Sequence, residues 1–371
     1  MTQNIENNRL RHLISQSYSI LSKTQDKHPD YIWEVGFSGG KDSTVTLHLV
    51  LEFIKKRLEK NLKVPDKVLV IYGDTLLDIP IIRQNALNTL KAVQKFSKKY
   101  LDGLLEVVVV KPEYGKDFFS MMIEKGYPPP HYRFRWCVRT LKVQPMLNFV
   151  DAINTKFVMI SGIRSDESLT RRRNIKKRQN YSSKYIMVSP IINWTKNDVF
   201  AFLSTTTQPW NGEPYNDLLK SYILLNSQNE PICTICSLSP NIRYGCWVCT
   251  VVTRDRALEN LSKDNGKWKE IYKTKELIRR ISRTRRFREY KDGVPRKLNE
   301  SGRLAVIATI VRAMKYYPES MAGYLEDPEL RGNMRSWIQK LIESNNKRVL
   351  NFAGINMDDV NEVYSVIKRK S

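Results

Sequence analysis

Six consecutive residues, Ser38, Gly39, Gly40, Lys41, Asp42 and Ser43, carry groups suited to holding phosphate. Paired glycines let the backbone turn tightly and bring its N–H groups close to phosphate oxygens. Lys41 adds a mobile cation, and Ser38 and Ser43 add hydroxyl donors. Asp42, together with Asp74 in the stretch Tyr72–Thr75, offers carboxylates that can share Mg²⁺ with phosphate oxygens. The plain alternative for Asp74 is an acid opening a solvent-exposed turn. The hexapeptide is not a Walker A loop, because the G-x-x-x-x-G-K-S/T spacing is absent.

The cysteines suggest a second chemistry. Of the five, Cys233, Cys236, Cys246 and Cys249 fall within seventeen residues as C-x2-C-x9-C-x2-C, and Cys137 stands apart. Four thiolates satisfy either tetrahedral Zn²⁺ or a 4Fe–4S cluster. The nine-residue spacer is shorter than that of common zinc sites, which leans toward iron–sulfur and leaves zinc as the alternative. Cys137, next to Trp136, is a sulfur carrier, an alternative ligand or simply a packed thiol. The chain starts without an apolar signal segment, and no stretch approaches the roughly 20 apolar residues of a membrane span. A cytoplasmic protein, in which thiols stay reduced, is therefore expected.

The elements that position these groups alternate along the chain. An N-terminal helix over 9–23 is followed by a strand, Tyr31–Phe37, which runs straight into the Gly-Gly loop. Behind the loop, Val45, Leu49 and Phe53 repeat at helical spacing. Strands at Lys67–Tyr72, Leu105–Val110, Lys156–Ile160 and Tyr185–Ile192 follow, with helices at 78–99 and 116–125 between them. Thr195 caps a helix through Asn197–Leu203. Val- and Ile-rich strands alternating with helices imply an α/β fold with a doubly wound, mostly parallel sheet over residues 1–210. A four-cysteine module is expected at 211–260, and a basic helical C-terminal region at 261–371 with a weakly apolar helix at Leu304–Met314.

Composition narrows the partners. With 41% hydrophobic and 27% charged residues the chain is an ordinary globular one, yet its formal net charge is +24. That balance suits a polyanion, although a basic host proteome would produce it too. The charge is clustered, once at Arg164, Arg171, Arg172, Arg173, Lys176, Lys177 and Arg178, and again at Arg279, Arg280, Arg283, Arg285, Arg286 and Arg288.

The full hexapeptide Ser38–Ser43 resembles the PP-loop of the ATP pyrophosphatases, which have the adenine nucleotide alpha hydrolase-like fold. The resemblance implies ATP cleavage between the α- and β-phosphates. Three further stretches resemble the phosphoadenosine phosphosulfate (PAPS) reductase branch: Arg133–Pro145 (RFRWCVRTLKVQP), Ser161–Ser168 (SGIRSDES) and Pro190–Leu203 (PIINWTKNDVFAFL). They place Gly162 and Arg164 in the nucleotide site, where Arg164 can grip phosphate or sulfate bidentately and Glu167 can orient it. A true PAPS reductase carries its nucleophilic cysteine in a short C-terminal motif, and no cysteine follows Cys249 here.

Arg243–Asp255 (RYGCWVCTVVTRD) is similar to the cysteine motif of the DndC family, sulfurtransferases of DNA phosphorothioate modification; SspD-like proteins share the same PP-loop logic. That likeness implies ATP, Mg²⁺ and a 4Fe–4S cluster as cofactors. It also implies DNA, a cysteine desulfurase and other phosphorothioation proteins as partners. Cys246 and Cys249 are the matching ligands, with Cys233 and Cys236 completing the set, while Lys41, Asp42, Asp74, Arg164 and Cys137 are the expected catalytic groups. Rival readings are a PP-loop tRNA thiolase, a non-catalytic nucleic-acid-binding subunit, and a sulfur or selenium donor enzyme for small molecules.

Overall fold

A computed structural model describes residues 2–153, 155–166, 185–226, 245–252, 254–264 and 266–369. The expectations for Glu167, Arg171, Arg172, Arg173, Lys176, Lys177, Arg178, Cys233 and Cys236 lie outside the described residues.

Five apolar runs form one sheet: β1 (Ile32–Phe37), β2 (Val68–Gly73), β3 (Leu105–Val110), β4 (Phe157–Ile160) and β5 (Tyr185–Val188). Their order is β3-β2-β1-β4-β5 and every neighbouring pair is parallel. Parallel neighbours require helical crossovers, and these cover both faces. Side chains of α1 (Thr2–Lys27), α2 (Lys41–Glu59) and α3 (Pro80–Tyr100) pack with Trp33, Val35, Val70 and Val158 on one face. A short helix, α4 (Phe118–Ile123), then leads to α5 (Trp136–Val138) and, through a π-helical turn, to α6 (Gln144–Ala152). Met146 and Phe149 of α6 cover Leu69 and Ile71 on the opposite face. The expected strand over Tyr185–Ile192 stops at Val188. Two residues on, Pro190 has no N–H for a ladder, and Ser189 Oγ already donates to the carbonyl oxygens of Ser161 and Ile163.

The C-terminal region departs from an all-helical expectation. β6 (Arg288–Lys291) and β7 (Val294–Leu298) form an antiparallel hairpin. Its turn is Asp292-Gly293, both at positive φ, +53° and +74°, the backbone that a tight two-residue hairpin needs. The helix Glu300–Tyr316, expected to be only weakly apolar, is buried from Leu304 to Met314. It lies in the largest apolar cluster, which also takes in Leu76, Leu77, Phe119 and Trp136 from the first half of the chain. No helix among the described residues is long and apolar enough to cross a membrane.

One buried acid lies inside the sheet. Glu34, in the central strand, is 2% exposed, and its Oε2 has no hydrogen-bond partner among the described residues. Burial pushes its carboxyl up to about 8 from an ordinary 4.5. The folded chain therefore keeps a proton that the unfolded chain releases above its ordinary value. Stability from this group is full below pH 4.5 and is lost as the pH rises toward 8. Across that window the loss runs at about 1.4 kcal/mol for each pH unit. Glu34→Gln removes the ionisable group at nearly constant shape. Relative to wild type it should gain on the order of 2–5 kcal/mol between pH 5 and pH 8. Urea midpoints of both proteins at the two pH values test this, and a difference that does not change with pH would contradict it.

Candidate active site

In a sheet of this order the direction of winding reverses between β1 and β4, and ligands gather in the crevice at the carboxyl ends of those strands. The residues Ser38–Ser43 leave β1 at that point, and Ser161–Arg164 leave β4 beside them. Gly39 has φ +71°, and a Cβ there would lie 2.7 Å from that of Ala86. At Gly162 a Cβ would come within 2.9 Å of the Asp42 backbone. Both glycines are thus set by close approach, and the second brings the β4 loop onto the first turn of α2.

That turn is a natural anion cradle. Gly40, the residue before α2, supplies no side-chain cap, so the first N–H groups point outward with the positive end of the helix dipole. Ser38 N–H donates to Ser43 Oγ (3.1 Å), and Ser43 Oγ donates to Gly40 O (3.0 Å), which fixes the loop from inside. Lys41 Nζ lies 2.5 Å from Asp42 Oδ2. Arg164, 5% exposed, puts Nε 2.8 Å from Asp42 Oδ1 and Nη1 2.8 Å from Asp166. The Asp42–Arg164 contact is an ion pair without hydrogen-bond alignment, so both atoms remain unsatisfied as hydrogen-bonding groups. A buried donor of this kind beside the loop suits phosphate oxygens.

Two further contributors are not singled out by the sequence reading. Lys196, the first residue of the helix Lys196–Thr205, holds its ammonium 5.7 Å from the Phe200 ring centroid, and Lys41 sits 6.0 Å from the same ring. Burial, then the like charges of Lys41 and Arg164, hold the Lys196 ammonium below its ordinary value. Its backbone N–H donates to Asp166, the carboxylate that also anchors Arg164. Tyr222, in the helix Asn216–Asn226, accepts the Lys41 N–H at 3.0 Å, a donor that a phosphate oxygen would take. A cavity of about 420 Å³ also opens beside Gly39, lined by Thr44, Asn85, Asn88, Glu213, Asp217 and Lys220 among others.

Asp74 behaves differently from the expected Mg²⁺ ligand. It is 1% exposed, and Arg83 takes its carboxylate through Nε (3.1 and 3.0 Å) and Nη2 (2.7 Å). Leu76 N–H adds a bond at 2.8 Å. A carboxylate so deeply buried needs a cation on hand, and the chain supplies an arginine. Asp42 is the acid in the loop itself, and it too is ion-paired, with Lys41 and Arg164.

The loop after β2 meets the cysteine segment. Cys246 forms a β-bridge with Asp78, and its Sγ lies 3.3 Å from Thr75 Oγ1 and 3.7 Å from Asp78 Oδ1. Cys249 N–H donates to Cys246 O at 3.0 Å, closing the C-x-x-C turn. Cys137 lies within electrostatic reach of Cys249. Lys142, one turn further on, is held above its ordinary value by Cys246 first, then by Asp78, Cys137 and Cys249. Burial pushes the Cys137 thiol up to about 11 and the Cys246 thiol up to about 12, with Lys142 opposing both. Cys246 and Cys249 therefore sit next to the strand that neighbours the phosphate loop, and Cys137 and Lys142 interact with them electrostatically. Among the described residues no group of three or more His, Cys, Asp or Glu side chains is placed to hold a metal ion. Thiolates are the donor type that soft metals take, and Cys233 and Cys236 lie outside the described residues.

A parallel α/β sheet with an anion cradle at its switch point defines a nucleotide-binding protein of the doubly wound class. The chain belongs to the phosphoadenosine phosphosulfate reductase domain family, whose profile matches residues 33–252; this is a family of enzymes acting on nucleotide and sulfur substrates. Two proteins of Methanocaldococcus jannaschii are similar to it. Uncharacterized protein MJ0973 is 28% identical over 276 residues, covering 72% of this chain and 60% of that protein. Uncharacterized protein MJ0066 is 30% identical over 179 residues, covering 48% of this chain and 32% of that protein. The chain thus aligns with less than two thirds of either relative's length.

Proposed function

We propose that the chain is an ATP-dependent sulfurtransferase acting on the DNA backbone, in the manner of the DndC family. The observation that carries this reading is the juxtaposition of two centres at one sheet edge. The phosphate cradle of Ser38–Ser43 with Arg164 lies at β1 and β4, and the Cys137, Cys246 and Cys249 thiols lie at the end of β2.

In this mechanism the α2 amides, Lys41 and Arg164 hold the triphosphate, and Asp42 would hold Mg²⁺. A non-bridging oxygen of a DNA phosphate attacks the α-phosphorus. An O–P bond forms, the α–β anhydride breaks, and pyrophosphate leaves with its electron pair. Lys41, Arg164 and Lys196 stabilise the negative charge that builds up on the phosphoryl oxygens. A persulfide sulfur, supplied by a partner such as a cysteine desulfurase, then attacks the DNA phosphorus and displaces AMP. A second thiol reduces the resulting S–S bond and leaves sulfur on phosphorus. A thiolate-held iron–sulfur cluster, or zinc, would supply a soft centre for handling sulfur; Cys246 and Cys249, with Cys137 or with Cys233 and Cys236, would hold it.

The test is pyrophosphate release from ATP with duplex DNA, with tRNA and with neither. Stimulation by DNA of about tenfold or more is expected, on the principle that binding energy from the acceptor is realised in the transition state. In the same assay Cys246→Ser should keep pyrophosphate release within about threefold of wild type and lose sulfur incorporation. Stimulation by tRNA alone would move the reading to a tRNA thiolase, and no stimulation by either nucleic acid would remove it.

A further inference from the structure

The hairpin β6–β7 takes no part in the chemistry above, yet it has unusual features. Among the described residues its two strands pair only with each other. Every residue from Glu289 to Lys297 is exposed, on both faces of the ribbon, while Phe287 and Leu298 at its base are buried. Leu298 N–H donates to Gly126 O at 2.7 Å, and Arg288 bonds the Arg296 carbonyl across the strands, so the ribbon is anchored and braced. The hairpin carries four cations, Arg288, Lys291, Arg296 and Lys297, against two acids, Glu289 and Asp292, and Arg285 and Arg286 stand just before its base.

A two-stranded ribbon with no apolar face does not extend a core. Its free edges are also poor templates for another protein's strand, since lysine and arginine line them and Pro295 lacks an N–H. A protein partner would need an apolar patch at its centre. Here the only large apolar side chains exposed on the ribbon are Tyr290 and Val294. Phosphate neutralisation needs no such patch. The major groove of B-form DNA admits a two-stranded β-ribbon, whereas the deep, narrow major groove of A-form RNA does not.

We propose that the β6–β7 hairpin docks on duplex DNA, lying at the major groove with its cations on the flanking phosphates. The proposal rests on DNA as the acceptor in the function proposed above and names the surface that binds it. The base of the hairpin joins the chain at Gly126, just ahead of the exposed segment Tyr132–Arg135; Thr250 Oγ1, bonded to Pro130 O at 2.5 Å, ties the same stretch to the cysteine turn. DNA held by the ribbon would therefore be presented on the side of the molecule where the thiols gather.

The experiment measures affinity for a labelled duplex DNA across a salt series. It compares wild type with Arg286→Gln/Lys291→Gln/Arg296→Gln/Lys297→Gln and with a control of equal charge loss, Lys91→Gln/Lys95→Gln/Lys98→Gln/Lys99→Gln, on exposed positions of α3. The hairpin variant is expected to bind at least about tenfold more weakly near 0.1 M salt. Its log–log salt slope should fall by about 3–4, because four phosphate contacts are lost. The control should change far less, and thermal midpoints should show both variants folded. Equal losses in the two variants would mean that bulk charge alone attracts DNA, which would overturn the proposal. So would an equal loss of affinity for duplex RNA of the same length. If wild type binds DNA and the hairpin variant binds it just as tightly, the ribbon is wrong and the acceptor stands; if wild type binds no DNA at all, both fall.

Discussion

Arg164→Ala is expected to lower ATP-dependent pyrophosphate release by about 10²–10³-fold, the range for losing one preorganised donor to a developing negative charge. Arg164 is 5% exposed and held from two sides, by Asp42 at 2.8 Å and Asp166 at 2.8 Å. Its guanidinium is therefore fixed before substrate arrives and loses little entropy when it meets a phosphoryl oxygen. The loss should fall mainly on kcat, since charge on the transferring group grows toward the transition state. Arg164→Lys should recover little. A single ammonium cannot bridge Asp42 and Asp166 and still present a planar pair of donors. Steady-state pyrophosphate release, with a thermal midpoint measured on each variant, checks this. An alanine variant that folds and keeps wild-type kcat would remove Arg164 from the catalytic set.

Much of this site could be read from the chain because its parts are local. The Gly-Gly loop sits between a six-residue apolar strand and an amphipathic helix, so its position at the edge of a parallel sheet followed from period and punctuation. The same holds for Thr195, which caps its helix reciprocally with Asp198. Asp74 shows what local reasoning leaves open. An acid after a strand looks the same whether it faces a metal or an arginine, and Arg83, nine positions on, turns inward only because the chain packs that way. Lys196 was hidden for a related reason, since its meaning comes from Lys41 and Arg164 arriving from other strands.

The cysteines carry the same lesson in another form. Spacing grouped Cys246 with Cys249, and the structure does close that pair in one turn. Spacing could not link Cys137, more than a hundred positions away, to that pair; the link is electrostatic, through Lys142 and Cys249. The hairpin is a different case, because its Asp292-Gly293 turn was a local signal present in the sequence. It was masked by flanking strands with no hydrophobic alternation, the very property that leaves the ribbon without a core to join. Leu304–Met314 was underrated because a helix apolar on all sides shows no periodicity, which is what burial in the middle of a core requires.

Arg83→Ala should be the most destabilising single exchange near the site, at about 3–5 kcal/mol, because it strips the cation from a buried carboxylate. The Asp74 side chain is 1% exposed, and among the described residues it keeps only the Leu76 N–H as a partner once the arginine is gone. Arg83 also reaches Glu326 at 2.9 Å, so the exchange cuts a tie between the loop after β2 and the C-terminal helices. Combining Arg83→Ala with Asp74→Asn should restore a large part of the loss, since the neutral amide no longer demands a counter-charge. Urea unfolding of the two single variants and the double variant gives the coupling directly, and purely additive effects would show that the pair is incidental. The consequence should extend to the thiols. Thr75 and Asp78, which contact Cys246 Sγ, belong to the loop that Asp74 and Arg83 pin. Alkylation of Cys246 should therefore quicken in Arg83→Ala and slow again in the double variant. Unchanged alkylation in a destabilised Arg83→Ala protein would mean that the loop holds its shape without the pair, and that the ion pair supports the fold but not the cysteine centre.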